Sequence, residues 1–247
     1  MHNRPILQAL SPLVLLVLFS FLPTRQPAPP ISGAWERQVT RDGVAFTQML
    51  LFSGNYFSLA EYKTADGAFG MTKGGSWTLA GKQLTLTYEF HTSTPDLVGT
   101  TESWQVSPSK KKLTIAQSAD KTSWTRVDAG TGTPLSGAWL ISGRKDGEQI
   151  VRRATDGPRK TMKMLTGTRF QWIAFNTATK EFFGTGGGTY TAKDGKYTEN
   201  IGFFSRDNKR VGASLSFDFK VDGKDWHHSG LNSSGQPLYE VWSVREK

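Results

Sequence analysis

Cysteine is absent, histidine occurs only four times, and acidic residues are outnumbered by basic ones, 21 to 30. Without a thiol there is no disulfide, thiolate nucleophile, cysteine-ligated zinc, iron–sulfur cluster or cysteine-linked lipid anchor. Only His91, His227 and His228 lie beyond residue 30, and none stands in a Ser–His–acid order. A Gly-x-Ser-x-Gly elbow is missing, which removes the commonest hydrolase signature. Long apolar runs are also missing: the longest, Leu13–Leu22, covers ten residues, where a membrane-crossing helix needs about 20. Beyond that run no window carries a helical period.

What is abundant points to β-structure. Glycine makes up 26 of 247 residues and aromatics 12%, enough for a turn-rich chain with a packed core. The N-terminal 30 residues stand apart. Arg4 precedes the apolar run, Pro12 and Pro23 bracket it, and Pro23–Pro30 reads as an extended linker. This predicts an export signal, with an uncleaved membrane anchor as the alternative, because no small-x-small pair follows Leu22. A secreted or periplasmic protein is expected. Loss of Arg4 and Arg25 leaves 28 basic residues against 21 acidic ones, a charge of +7.

An ordered repeat follows. Ser32-Gly33-Ala34-Trp35 recurs as Ser136-Gly137-Ala138-Trp139, and Asp42-Gly43 as Asp146-Gly147. Met49-Leu50 matches Met164-Leu165, Gly74-Gly75-Ser76-Trp77 matches Gly187-Gly188-Thr189-Tyr190, and Gly81-Lys82 matches Gly195-Lys196. Each half ends on a strand with Trp and Arg, Trp124 with Arg126 and Trp242 with Arg245. The chain therefore divides into 1–30, a first unit at 31–128, a small-residue linker at 129–133 and a second unit at 134–247. Alternating segments such as Lys82–Tyr88 and Ala213–Val221, with Asp-Gly turns between, predict about eight strands per unit. Two tandem antiparallel up-and-down barrels account for this best, an all-β fold. A single two-sheet sandwich is the alternative, and Asp146–Met164 is readable as a long hairpin.

Gly33-Ala34-Trp35 and Gly137-Ala138-Trp139 resemble the Gly-x-Trp motif of lipocalins and related calycin barrels. The resemblance implies that Trp35 and Trp139 close one end of each barrel and that Arg126 and Arg245 pack over them. The second unit is also similar to lipocalin-like domains of unknown function in secreted Bacteroidetes proteins. That similarity rests on Lys163-Met164-Leu165, Phe170-Gln171-Trp172, Gly187–Thr191, Lys196–Glu199, Trp226 and Glu240-Val241-Trp242. The first unit departs from it, with Leu59 for Trp172, Trp77 for Tyr190 and Leu86 or Thr87 for Glu199.

Candidate sites follow from side-chain chemistry. Tyr197 and Glu199 are two apart on a strand and share a face. Facing inward, Glu199 needs a partner, which Lys163 or Arg169 supplies. Phe170 and Trp172 share one face; Ile173 and Phe175 share the other. Phe170, Trp172, Tyr190, Tyr197 and Glu199 are thus expected to line a cavity, with core filling as the competing reading. His227-His228 beside Asp218, Asp222 and Asp225 raises a metal site, but adjacent strand residues point apart. Gly184–Gly188 reads as a hairpin or a bulge rather than a phosphate loop. A hydrolase using Glu199 with Glu61 or Glu181 has no specific spacing behind it. Basic clusters such as Lys110–Lys112 and Arg152-Arg153 suit an anionic membrane surface or glycan better than nucleic acid. The reading is a non-catalytic carrier of a small apolar or amphipathic molecule, without cofactor, metal or nucleic-acid partner. Its alternative is a surface interaction module.

Overall fold

The computed structural model describes residues 30–246 apart from 119 and 233. The apolar run and the proline-rich segment before Pro30 lie outside the described residues. The first barrel is a meander of β1 (Gly33–Arg41), β2 (Val44–Ser53), β3 (Tyr56–Lys63), β4 (Phe69–Ala80), β5 (Gln83–His91), β6 (Thr101–Pro108), β7 (Lys112–Gln117) and β8 (Asp120–Asp128). Pairing of β1 with β8 closes it. The second contains β9 (Gly137–Asp146), β10 (Gln149–Arg152), β11 (Arg159–Leu165), β12 (Arg169–Asn176), β13 (Phe182–Lys193), β14 (Lys196–Phe204), β15 (Ser214–Asp222), β16 (Asp225–Leu231) and β17 (Pro237–Val244). Here β9 pairs with β17 and, through its first half, with β11, which closes eight strands. The far half of β9 folds back on β10, so the ambiguous segment after Asp146 is a hairpin appended to the closed barrel.

Local chemistry explains the ladder. At Asp42-Gly43 and Asp194-Gly195 both residues take positive φ, 50° and 74° and then 52° and 76°, as a tight hairpin with right-handed strands requires. The glycine runs are bulges, between Gly74 and Gly75 in β4 and between Gly187 and Gly188 in β13. A Cβ on Gly75 would lie 2.0 Å from the Thr87 carbonyl oxygen, and one on Gly188 2.0 Å from that of Asn200. Only glycine lets these strands approach so closely.

Trp35 sits at the closed end of the first barrel. Its indole N–H donates to the Ile31 carbonyl (2.8 Å), and the Arg126 guanidinium lies 3.9 Å from the ring centroid while donating to the Ser32 carbonyl. Trp139 repeats the indole bond, to Leu135 (2.9 Å). Arg245, however, does not cover Trp139. Arg126 is the register partner of Trp35, but the partner of Trp139 is Val244. One residue further along, strand alternation turns Arg245 outward. It lies 3.9 Å over the Tyr56 ring and forks onto Glu89 (2.5 and 2.8 Å), tying the second barrel to the first.

The barrels pack through outer faces that read as core. Met49, Leu51, Tyr56 and Phe90 of the first meet Leu140, Met162, Met164, Ile173 and Phe175 of the second. The contacts obey a pseudo-two-fold. Phe90 meets Phe175 at 4.9 Å between ring centroids, and Tyr62 meets Phe203 at 5.0 Å. Phe203 follows Phe90 by 113 residues (203 − 90), and Phe175 follows Tyr62 by the same interval, so the two contacts are images of each other. Phe69 stacks on its own image, Phe182, at 6.1 Å. Beside them the Gln171 side-chain amide donates to Thr72 (2.9 Å) and to its image Thr185 (3.0 Å). This is the self-complementary geometry of a symmetric dimer within one chain.

Asp128, at the end of β8, staples the linker. Its carboxylate accepts from the N–H groups of Ala34, Gly130 and Thr168 and from the hydroxyls of Thr166 and Thr168, four of the five at 2.8 Å. Burial pushes this carboxyl up, but the bonds from Thr166, Thr168 and Gly130 outweigh it and hold the group below the usual carboxylate range. A lowered folded-state value adds stability above the ordinary carboxylate pKa and loses it as pH falls through the lowered value. Urea midpoints measured from pH 7 to pH 3 are therefore expected to fall less steeply for Asp128→Asn than for the wild type. Parallel slopes would show that Asp128 is not a source of acid sensitivity.

Candidate functional site

The barrels differ at their mouths. In the first, the Lys73 ammonium sits 5.4 Å from the Tyr88 ring centroid and 5.6 Å from that of Trp104. The Tyr88 hydroxyl donates to Glu102, which also accepts from Gln117 (2.6 Å). Arg37 donates to Gln48 (2.6 Å), which donates to Glu61 (2.6 Å). These side chains fill the opening and leave about 130 Å³. The second barrel opens into a cup of about 510 Å³, within the range of small-molecule sites.

Register explains the difference. Lys73 is the partner of Leu59 on β3, and the equivalent pair in the second barrel is Gly186 and Trp172. Glycine removes the side chain that plugs the first barrel. It also seats the indole, since a Cβ on Gly186 would lie 2.7 Å from Trp172 Nε1. Likewise Ile141 stands where Arg37 does, four residues after its Gly-Ala-Trp glycine in each unit.

The cup has an apolar wall and a polar floor. Trp172, Phe204, Leu215, Phe217, Leu238 and Trp242 form the wall. On the floor the Lys163 ammonium pairs with Glu199 Oε1 at 2.7 Å, both side chains being about 6–7% exposed. The same oxygen accepts from the Tyr197 hydroxyl (2.7 Å). Lys163 lies about 5 Å from the ring centroids of Tyr197, Trp226 and Trp242, so aromatic faces complete its surroundings. Burial, followed by the neighbouring Glu199 charge, pushes the Tyr197 phenol far up, keeping it a donor. Beside this group His228 Nδ1 meets Glu240 Oε2 at 3.2 Å, and the Trp242 indole donates to the same oxygen (3.0 Å). Burial, reinforced by Lys163, pushes the His228 imidazole down and keeps it neutral. Burial alone would raise Glu240, but the bond from His228 and the Lys163 charge hold it low and ionised. At the rim stand Arg206, fixed by two bonds to the Phe183 carbonyl, and Arg210 against Phe204.

No protein-family model matches the chain, and no curated protein does. Among solved structures, the Helicobacter pylori β clamp in complex with carprofen is similar over 86% of this chain and 55% of that one, at 8% identity and a TM-score of 0.17. The same clamp bound to a DNA ligase peptide is similar over 87% and 57%, at 8% identity and a TM-score of 0.16. The chain spans little more than half the length of those clamps, and likeness at such scores carries no argument.

Of the five residues expected to line a cavity, the structure brings Trp172 and Glu199 to the cup. Tyr197 lies beneath it, fully buried, and acts through Glu199. Phe170 and Tyr190 lie in the barrel core instead. The Tyr190 hydroxyl is held by Thr133 (2.6 Å) and the Thr166 carbonyl (2.5 Å), which keeps it at the linker end. Ile173 and Phe175, on the opposite strand face, pack across the barrel interface. His227 turns outward to Tyr239 (3.0 Å) while His228 turns inward, so the pair is split by strand alternation. Among the described residues no group of three or more acidic or histidine side chains is placed to hold a metal ion. Sequence reasoning missed Glu240 as the partner of His228. The signal was available in the strand period, since Glu240 and Trp242 share a face on the closing strand.

Proposed function

We propose that the second barrel carries a small amphipathic molecule in its cup, and that the first barrel is a filled scaffold. The observation behind this reading is the asymmetry of the two mouths, about 510 Å³ against about 130 Å³ in barrels of the same topology. An apolar wall with a few fixed polar groups is the usual make-up of a small-molecule site. The resemblance of the second unit to secreted lipocalin-like domains, and the N-terminal export signature, fit a carrier outside the cytoplasm. No catalytic role is assigned to the buried ion pairs.

The competing reading is a surface module. It draws on the β9–β10 hairpin, where Ile150 and Val151 are 41% and 47% exposed beside Arg152 and Arg153. Native mass spectrometry of the purified protein separates the two. A carrier shows an added mass that disappears on denaturation. Trp172→Ala then loses that mass or holds it more weakly by about 2 kcal/mol, as for a central aromatic anchor. A bare polypeptide mass, with no small amphiphile taken up on titration, would remove the carrier reading in favour of the surface module.

A further inference from the structure

The floor of the cup accepts hydrogen bonds more than it donates them. The Tyr197 hydrogen bond and the Lys163 ion contact to Glu199 fall on Oε1, and both bonds to Glu240 fall on Oε2. Among the described residues the second oxygen of each carboxylate accepts no hydrogen bond, and both side chains line the cavity. A third acceptor lies between these elements. His228 faces the Glu240 carboxylate with Nδ1, so Nδ1 carries the ring proton and Nε2 presents a lone pair. That Nε2 is buried without a partner in a side chain only 3% exposed. A buried acceptor left unsatisfied is costly, and such groups ordinarily find a donor.

Charge gives the donor its sign. Lys163 offsets Glu199, and its ammonium is enclosed by that carboxylate and three aromatic rings. Glu240 bonds only a neutral imidazole and an indole, and the Lys163 charge that also acts on it is already paired with Glu199. The floor therefore holds one negative charge in excess, inside walls of Trp242, Phe217 and Leu238. The arginines at the rim are opposite in sign, but Asp207 stands between them, Arg206 is exposed and Arg210 only half-buried, so solvent screening weakens them. An effective dielectric of about 20 near a buried group, against about 80 in water, makes the floor charge about four times as effective at equal distance.

We propose that the cup selects an amphiphile with a cationic, hydrogen-bond-donating head, a primary or secondary ammonium on an apolar body, seated head-down on Glu240, Glu199 and His228. This rests on the carrier reading above. A primary ammonium supplies three donors, enough for both free carboxylate oxygens and the imidazole lone pair, and a secondary one supplies two. The apolar body then lies against Trp172, Phe204 and Leu215.

Three probes of equal chain length test it, decylamine, 1-decanol and decanoate, titrated into the full chain at pH 7.5 with tryptophan fluorescence and calorimetry as readouts. Decylamine is expected to bind at least about tenfold tighter than decanoate, with decanol between them, as one charge-assisted hydrogen bond allows. Glu240→Gln is expected to weaken decylamine about tenfold and to leave decanol within about threefold. Equal affinities, or decanoate tightest, would overturn the ammonium assignment while leaving a carrier in place. Binding of none of the three would remove the carrier reading itself and the assignment with it. Should Glu240→Gln not fold, the order of the three probes on the wild-type protein still decides.

Discussion

Lys163→Met is expected to destabilise the protein by about 3–5 kcal/mol, the cost of leaving one member of a buried ion pair uncompensated. The two charges stand 2.7 Å apart in an enclosure of aromatic rings, and neither reaches bulk solvent to a useful extent. Methionine keeps most of the lysine volume, so the loss is electrostatic rather than a cavity effect. The double variant Lys163→Met/Glu199→Gln is expected to recover most of that loss, because a neutral amide still accepts the Tyr197 hydroxyl bond. Urea unfolding of the wild type, both single variants and the double variant measures the coupling directly. A cost below about 1 kcal/mol would place the pair among solvent-screened surface bridges and would mean that the floor of the cup is wet.

Phe90→Ala is expected to cost about 3–5 kcal/mol, in line with large-to-small changes in cores. Phe90 is 2% exposed although it points out of its barrel. Its ring lies against Phe175 and over Gly74, where a Cβ would stand 2.5 Å from the ring edge. Phe203→Ala is expected to cost a comparable amount, because Phe203 makes the image contact with Tyr62 over Gly187. The wild-type protein is expected to unfold in a single calorimetric transition, since a buried apolar cluster spans the two barrels. Combining the two substitutions is expected to split that transition in two as the barrels lose their mutual support. Two transitions in the wild type would show that the barrels are energetically independent.

Much of the fold was legible because it rests on local rules. The Gly-Ala-Trp pairs, the Asp-Gly turns and the alternating strands each state their conformation within a few residues. The glycine run at 184–188 was readable only as a hairpin or a bulge, and the structure has it as a bulge inside β13. The inward face of β12 and β14 was not readable, because the strand period says which residues share a face and not which face turns in; only the conditional was available, that an inward Glu199 demands a cation such as Lys163. Distinctions at the level of one residue were not legible. Arg245 matches Arg126 by composition, yet a single step in register sends it to the other side of the sheet. Phe170 and Trp172 share a face, but only depth along the tilted strand separates the packed interior from the open mouth. The opening itself follows from what Gly186 lacks beside Lys73, and it emerges only when the two units are laid over each other residue by residue.

In an assembly of two identical chains related by a two-fold, every substitution is made twice, and a change that suits one copy is imposed on the other. Covalent joining of the copies lifts that constraint while keeping their shared face. Lys73 can then block one opening while Gly186 leaves the other clear, and each can change without consequence for its counterpart. The two halves are thereby free to diverge: one fills its opening, the other keeps it clear.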